Sequence, residues 1–194
     1  MNHTIQSLHY PMPEILLLAL AIFLIPFLPG QFLWAMLILL IVLPGIFALR
    51  HGPPFVPTSR KRVETMIAFA EIQVGNRVYD LGCGDGRLVI AAAKRGATAI
   101  GYELSVPMFL FAKARSLFCC NAEIRFGNFW TKDFSDADVI FCYFVTDAMK
   151  NFEENIWPTL KPGCRVVSNT FRIRTIPPAK QEGKVAMYIK NSLH

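Results

Sequence analysis

The stretch VYDLGCGDGRL, residues 78–88, combines a carboxylate with three closely spaced glycines. Gly82, Gly84 and Gly86 have the spacing G-x-G-x-G, between an apolar run typical of a strand and a run typical of a helix. Glycines let the backbone turn sharply and approach a ligand closely. In an open α/β sheet, ligands bind beyond the carboxyl ends of the strands, where such a loop lies. The stretch therefore predicts a turn that binds a nucleotide-like ligand.

Two details of this loop argue against the common phosphate-binding motifs. The dinucleotide fingerprint G-x-G-x-x-G needs a third glycine where Arg87 stands, and a Walker loop needs a terminal Gly-Lys-Ser/Thr that is absent. Asp80, two residues before the first glycine, suits a ligand that carries a cationic amine and no phosphates. S-adenosylmethionine is a ligand of this kind, and the loop favours it.

Further candidates for the cofactor site follow the next two predicted strands. Glu103 ends the second strand, where an acid can accept hydrogen bonds from both ribose hydroxyls. Nicotinamide enzymes share this device, so Glu103 alone does not separate the two cofactor classes. Asn128, in the segment GNFW, is placed to bond the adenine edge, and Phe129 is placed to pack on its face. Phe129 or Trp130 is equally compatible with a position in the core.

Predicted strands and helices alternate around these motifs. Strands are predicted near Arg77–Leu81, Thr98–Glu103, Glu123–Phe126, Asp138–Phe144, Arg165–Asn169 and Val185–Lys190. Helices are predicted near Arg60–Glu71, Arg87–Arg95, Pro107–Cys120 and Ala148–Leu160. This alternation predicts an α/β fold with a parallel sheet and helices on both faces. After Phe171 the sequence indicates a single further strand.

Asp80, the three glycines, Glu103 and Asn128 together resemble the cofactor site of class I S-adenosylmethionine-dependent methyltransferases. The resemblance covers about residues 76–170. It implies a Rossmann-like class I methyltransferase sheet, with S-adenosyl-L-methionine as the cofactor.

The order of parts is similar to that of small membrane-anchored lysine methyltransferases. This family includes the lysine N-methyltransferase that acts on the c subunit of mitochondrial ATP synthase, and its bacterial relatives. The matching positions are Pro54, Val56, Pro57, Thr58, Asp85-Gly86-Arg87 and Gly101–Leu104. In that family the Pro-Thr segment belongs to the active unit. The resemblance therefore implies protein-lysine methylation and a substrate-side or lid role for Pro57 and Thr58, although the segment is equally compatible with a stiff linker.

Residues 15–49 contain no charged residue and no histidine, a run of 35 residues. Since a membrane-spanning helix needs roughly 20 apolar residues, the run fits a transmembrane hairpin that turns at Pro29-Gly30-Gln31, or one long tilted or broken helix. A cleaved signal peptide fits poorly, because no Lys or Arg precedes the run. Basic residues directly after the run, at 50 and 60–62, predict that the following domain lies on the cytoplasmic face of the membrane.

These features predict three segments and a set of partners. Residues 1–50 form a membrane anchor, 51–75 a Pro-rich linker and a leading helix, and 76–194 the methyltransferase domain. The expected partners are the lipid bilayer and a membrane-protein substrate. No nucleic acid is expected, because the basic residues that give the net charge of +6 are scattered along the chain. The five cysteines contain no CxxC pair, so neither a disulfide framework nor a metal site is expected.

The acceptor site is predicted after the fourth strand. Tyr143 and Thr146 are the candidate catalytic residues there, together with Phe144, and Asp147 is interpreted as a helix cap. A lysine nucleophile must lose its proton, so the site should desolvate the amine or pass its proton to water. Methylation of a lipid, quinone or other small apolar molecule, methylation of RNA, and a non-enzymatic membrane scaffold are the alternatives.

Overall fold

The chain divides into two units, Met1–Pro54 and Phe55–His194. The computed structural model describes residues 57–191 and, before them, residues 29, 30, 32, 34–36, 38 and 39. In the first unit the described residues from Gly30 onward are helical, and the Phe32 amide donates to the Pro29 carbonyl at 2.8 Å. The first arm of the predicted hairpin lies outside the described residues. No helix among the described residues is long and apolar enough to cross a membrane, so the anchor stays a prediction.

The described part of the second unit contains four α-helices and seven strands. The helices are α1 (Arg60–Ala70), α2 (Arg87–Ala93), α3 (Val106–Ser116) and α4 (Thr146–Asn155). The strands are β1 (Arg77–Leu81), β2 (Thr98–Glu103), β3 (Ala122–Phe126), β4 (Val139–Cys142), β5 (Arg165–Asn169), β6 (Lys180–Glu182) and β7 (Val185–Ile189). Two short 3-10 turns, Phe129–Thr131 and Trp157–Thr159, complete the described secondary structure.

The strands form one sheet in the order β3-β2-β1-β4-β5-β7-β6. The first five strands in that order are parallel, β7 is antiparallel to β5, and β6 is antiparallel to β7. The strand order reverses between β1 and β4, and ligands bind at such a switch point, beyond the carboxyl ends of the strands. Asp80 of β1 lies there, opposite Gly101 of β2 and Phe141 of β4.

Alternate strand residues separate into two cores, one on each face of the sheet. Val78 and Phe141 belong to the core beneath α1, α2 and α3. Tyr79 and Ile140 belong to the core beneath α4 and the two 3-10 turns. Because successive side chains of a strand point to opposite faces, short apolar strands supply both cores at once. The Rossmann-like sheet with helices on both faces is therefore confirmed.

Gly101 lets β2 pass directly under the glycine loop. A Cβ atom at Gly101 would lie 2.7 Å from Cys83 Sγ and 2.7 Å from Val89 Cγ2, closer than packed atoms allow. The loop is also bonded to β2, because the Gly82 and Cys83 amides both donate to the Tyr102 carbonyl, at 3.0 and 2.9 Å. The loop therefore rests on the neighbouring strand and has a fixed shape.

The structure corrects three of the predicted elements. Strand β4 ends at Cys142, so Tyr143 and Phe144 lie beyond the ladder. The predicted helix Ala148–Leu160 divides, because Pro158 cannot donate a backbone hydrogen bond and the chain continues as a 3-10 turn. The prediction of one strand after Phe171 was wrong. The exposed edge strand β6 precedes β7, and its sequence KQE has no apolar pattern to reveal it.

Candidate active site

The three loop glycines adopt left-handed backbone conformations for different reasons. Their φ angles are 80° at Gly82, 54° at Gly84 and 74° at Gly86. A side chain at Gly82 would meet nothing within 4 Å, so open space lies beside this glycine. A Cβ at Gly86 would instead lie 3.3 Å from Ala112 of α3 and Ile124 of β3. Gly82 thus leaves room for a ligand, whereas Gly86 allows α2 to begin close against its neighbours.

Glu103 joins the carboxyl ends of β1 and β2. Its Oε2 accepts a hydrogen bond from the Gly84 amide at 2.8 Å. Its Oε1 accepts from the Leu104 and Ser105 amides at 3.0 and 2.8 Å. Three backbone donors fix this carboxylate in place. Oε1 accepts two of the hydrogen bonds and Oε2 one, so Oε2 retains a lone pair for a hydroxyl donor. The arrangement fits an acid that accepts a hydrogen bond from a ribose hydroxyl.

Asp80 is a buried carboxylate at the end of β1. It is 5% exposed, and no residue in the described part of the chain donates a hydrogen bond to it. Burial raises the pKa of Asp80 to about 8, and the negative charges of Glu103 and Asp85 add to this effect. An unpaired carboxylate in such a place is costly, and a cationic amine beside it would remove the cost. Asp80 therefore fits the amino group of S-adenosylmethionine.

The GNFW segment is ordered by its own contacts. Asn128 Oδ1 accepts from the Trp130 amide at 3.0 Å and so caps the turn Phe129–Thr131, which leaves the side-chain amide nitrogen available as a donor. The Phe129 ring stacks on Phe144, with 5.3 Å between centroids and 9° between planes. Phe129 is partly buried against the core, as one of its two interpretations predicted.

The segment before α1 is bound to the end of the sheet that carries the glycine loop. Thr58 is 8% exposed, and its hydroxyl oxygen accepts from Asn169 Nδ2 of β5 at 3.3 Å. The Thr58 carbonyl accepts from the Arg87 guanidinium at the start of α2. Arg87 Nε and Nη2 also donate to the Asp85 carboxylate, both at 2.8 Å. Thr58 and its exposed neighbour Pro57 therefore belong to the folded domain.

Asp85 is the centre of this link. Burial acts to raise the pKa of Asp85, but the charges and hydrogen bonds of Arg87 and Arg115 outweigh it and leave the pKa below its ordinary value. From the sequence, Arg87 is a mismatch to the dinucleotide fingerprint and, with Asp85, part of the match to the lysine methyltransferase family, but no role is predicted for Arg87, Asp85 or Asn169. The available signal was that the Pro-Thr segment and Asp-Gly-Arg occur together in the family the chain resembles.

Two aromatic residues follow the carboxyl ends of β4 and β5, where the acceptor site is predicted. Tyr143 and Phe171 are both partly buried, and their ring centroids are 6.5 Å apart. Thr146 is exposed at the first position of α4. The N-cap of α4 is Val145, so Asp147 lies in the first helical turn, where a negative charge suits the helix dipole, and not at the cap as predicted.

The thiols of the described residues form neither a disulfide nor a metal site. The five cysteines are free, and Cys83, Cys142 and Cys164 are buried. Burial raises the pKa of the Cys83 thiol, which keeps it protonated beside the glycine loop. Within the part of the chain that the structure describes, no group of three or more His, Cys, Asp or Glu residues is placed to hold a metal ion.

The family model of the ANTKMT methyltransferase domain matches residues 80–180, which is more than half of the chain. The chain belongs to this family. Two relatives of the ANTKMT-family chain are lysine methyltransferases. A protein-lysine N-methyltransferase of Saccharolobus islandicus (strain REY15A) is 38% identical over 126 residues, 62% of this chain and 78% of that protein. The Homo sapiens lysine N-methyltransferase of the ATP synthase c subunit is 32% identical over 121 residues, 61% of this chain and 52% of that protein. The chain thus spans about half the length of the human relative.

A solved structure agrees with the cofactor assignment. The crystal structure of an RNA methyltransferase from Salinibacter ruber in complex with S-adenosyl-L-homocysteine has a TM-score of 0.67. Its sequence is 28% identical, and the match covers 71% of this chain and 95% of that chain. The ANTKMT-family chain is a class I methyltransferase that depends on S-adenosyl-L-methionine, and the predicted cofactor and enzyme class are confirmed.

Proposed function

We propose that this ANTKMT-family methyltransferase transfers a methyl group from S-adenosyl-L-methionine to the ε-amino group of a lysine in a membrane-associated protein. The similarity to the S. islandicus protein-lysine N-methyltransferase, over 78% of that protein, carries the acceptor class. The uncharged run of residues 15–49 supports the membrane association and, with the basic residues after it, a catalytic domain on the cytoplasmic face.

The cofactor half of the site, at the ends of β1 and β2, is assigned as follows. Asp80 pairs with the amino group, Gly82 and Gly84 give the backbone room at the ligand, and Glu103 accepts from a ribose hydroxyl through Oε2. Asn128 bonds the adenine edge with its free amide nitrogen, and Phe129 borders the adenine. When bound, the cofactor supplies an electrophilic methyl group on a sulfonium. The protein's task is then to hold a neutral amine in line with that methyl and to exclude water.

The acceptor half of the site, at the ends of β4 and β5, would hold the lysine. Tyr143 and Phe171 are aromatic walls for its apolar stem, and their ring faces attract the ammonium group as it enters. Desolvation between such walls lowers the pKa of a lysine, so the proton is released to water before methyl transfer. The Tyr143 and Thr146 hydroxyls are the candidates for orienting the free amine, and Pro57 and Thr58 cover the site from the side of β5.

Methylation of RNA is the second candidate function, because the S. ruber structure is that of an RNA methyltransferase. The surface charges of this chain favour it less. Several cations of the second unit are paired with carboxylates, as in Lys161–Asp138 at 2.6 Å and Arg125–Glu123 at 2.8 Å. Affinity for a phosphate backbone needs cations that are free to displace counterions.

The test is a labelling experiment with the full chain. Purified protein is mixed with methyl-labelled S-adenosylmethionine and with membranes and RNA from the source organism lacking the gene. Proteins, lipids and RNA are then separated and counted. We expect label in a membrane-protein band, and peptide mass spectrometry should place the methyl group on a lysine.

Asp80→Asn is the inactive variant. Its matched control is Asp133→Asn, which makes the same change from carboxylate to carboxamide at an exposed residue outside the glycine loop. Label in RNA with Asp133→Asn but not with Asp80→Asn would establish the second candidate instead. Label in the lipid extract would reassign the acceptor to a small apolar molecule. Protease treatment of intact cells tests the cytoplasmic location, because digestion of the second unit from the outside would contradict it.

A further inference from the structure

Helix α3 and the segments around it carry a concentrated apolar surface. Six large apolar side chains between residues 106 and 126 are each at least 52% exposed: Val106, Leu110, Phe111, Leu117, Phe118 and Phe126. We call these residues the α3 surface. Elsewhere in residues 57–191, apart from Leu104 beside it, only Val74, Val145 and Ile189 are comparably exposed. An exposed patch of this kind marks a site of contact, whereas single exposed apolar residues do not.

The helix geometry places these residues on one side. At about 100° per residue, Val106, Leu110 and Phe111 fall within a sector of about 140° around the α3 axis. Ala112 and Ser116 fall on the opposite side and are buried against the domain. Helix α3 thus places small residues against the domain and its large apolar residues outward, the reverse of an ordinary surface helix.

Cations border the outward apolar sector. On the same helical projection, Lys113 lies at one edge of the sector and Arg115 at the other, within about 40° of the nearest apolar residue. Both residues are exposed. The Lys113 ammonium donates only to the neutral Ile124 carbonyl, at 3.3 Å, and so keeps its net charge. The Arg115 guanidinium, which pairs with Asp85, lies 5.7 Å from the Phe111 ring. Helix α3 contains no acidic residue. Long basic side chains of this kind lay their stems along apolar surface and hold their charges at its margin.

We propose that the α3 surface docks on a lipid bilayer that contains anionic lipids. An apolar face bordered by the uncompensated charge of Lys113 suits a helix that lies in the membrane interface, with apolar side chains among the acyl chains and the lysine at lipid phosphates. A second copy of the chain fits less well, because α3 contributes no acidic residue that could pair with Lys113 of a symmetric partner.

The consequence concerns where methyl transfer takes place. Helix α3 begins three residues after Glu103, the acid at the end of β2. A docked α3 therefore holds the cofactor end of the sheet beside the bilayer, independently of any anchor in residues 1–50. This inference goes beyond the proposed reaction, and lysine methylation does not depend on it.

The test uses the full chain reconstituted with vesicles of phosphatidylcholine, with and without phosphatidylglycerol. Cys119 and Cys120, which are not buried, are replaced by serine, and a nitroxide spin label is attached at Phe118→Cys. The matched control is a label at Val74→Cys, which is 86% exposed in the turn before β1. With anionic vesicles, we expect the label at 118 to gain accessibility to oxygen and to lose accessibility to a water-soluble nickel chelate. The label at 74 should stay accessible to nickel.

A second substitution tests the role of charge. Lys113→Glu should weaken the change at position 118 in anionic vesicles while leaving methyl transfer to a lysine peptide in detergent unaltered. Equal nickel accessibility at 118 and 74 in every vesicle would overturn the proposal, as would dipolar broadening at 118 without lipid, which would reveal a second copy. Methyl transfer to the peptide is measured on the same samples, so failure of docking and failure of the proposed reaction are told apart.

Discussion

The cofactor half and the acceptor half of the site are built by different kinds of interaction. At the ends of β1 and β2, Glu103 is fixed by three backbone amides and Asp80 is buried without a partner among the described residues. At the ends of β4 and β5, Tyr143 and Phe171 supply aromatic rings and few polar contacts. The cofactor half is pre-organised for one charged ligand, whereas the acceptor half offers aromatic surfaces that exclude water.

This difference indicates where the specificity of the enzyme should lie. A fixed set of polar groups recognises one cofactor and tolerates little change, because each unpaired buried group is costly. Aromatic walls accept a range of stems and charges, so the acceptor is selected by shape, desolvation and the surface that presents it. Substitutions in the two halves should therefore separate cofactor affinity from acceptor turnover.

The largest effect is expected at Asp80, the centre of the cofactor half. Loss of one partner of a buried charge pair costs several kcal/mol, so Asp80→Asn should weaken cofactor binding by roughly 100-fold or more, as measured by calorimetry. The ligand-free protein should not become less stable, because burial opposes ionisation of Asp80. A thermal melt of the ligand-free variant checks its stability. A folded Asp80→Asn variant that binds the cofactor normally would contradict the assignment of Asp80 to the amino group.

The raised pKa of Asp80 gives the same site a pH dependence. In the unfolded chain Asp80 ionises near its ordinary pKa of about 4, whereas in the fold it holds its proton up to about pH 8. The folded state binds the extra proton, so this group's contribution to stability falls as the pH rises between those values. The affinity for the cofactor should increase as the pH rises towards 8, because the Asp80 carboxylate forms over that range. Asp80→Asn should abolish this increase.

The next largest effect is expected at Arg87, which couples the two halves. Hydrogen bonds to charged groups contribute about 1.5–3 kcal/mol, so Arg87→Ala should reduce kcat/KM for the acceptor by roughly 10-fold or more. Arg115→Ala is the matched control, because it removes a partner of Asp85 but leaves the Arg87–Thr58 contact. Limited proteolysis next to Thr58 should become faster in Arg87→Ala alone. Equal cleavage rates in both variants would show that Arg87 does not hold the segment.

A smaller effect, confined to the acceptor half, is expected at Tyr143. Tyr143→Ala should lower kcat/KM for the lysine acceptor by about 10-fold while the cofactor Kd stays unchanged, since the ring attracts the ammonium group and excludes water. Tyr143→Phe separates the ring from the hydroxyl. Full activity of the phenylalanine variant would show that the mechanism needs the Tyr143 ring but not its hydroxyl.

The smallest effect is expected at Thr146, at the outer edge of the acceptor half. Its side chain is exposed at the start of α4, and a neutral hydrogen bond to the amine would contribute about 1 kcal/mol. Thr146→Val should therefore lower kcat about fivefold at constant cofactor affinity. A loss as large as that of Tyr143→Ala would mean that the two hydroxyls act together.

The cofactor half of the site could be predicted from local sequence patterns. The bounds of β1, β2 and β5 were predicted correctly from apolar runs ending in glycine or polar residues. Consecutive parallel strands are usually neighbours, so Asp80, the glycine loop and Glu103 had to meet at one edge of the sheet. Short, local signals were enough for this half, because each residue lies within a few positions of a strand end.

The assembly of the other parts depends on contacts between distant segments. The contacts of Thr58 with Arg87 and Asn169 join residues 29 and 111 positions apart, and they depend on how α1 and the Pro-Thr segment pack on the sheet. The pairing of Tyr143 with Phe171 depends on β4 and β5 being neighbours and on where each ladder ends. The exposure of the α3 surface depends on which side of helix α3 packs against the core. A local pattern states that a residue is apolar or charged, but the packing of distant segments decides which group it faces.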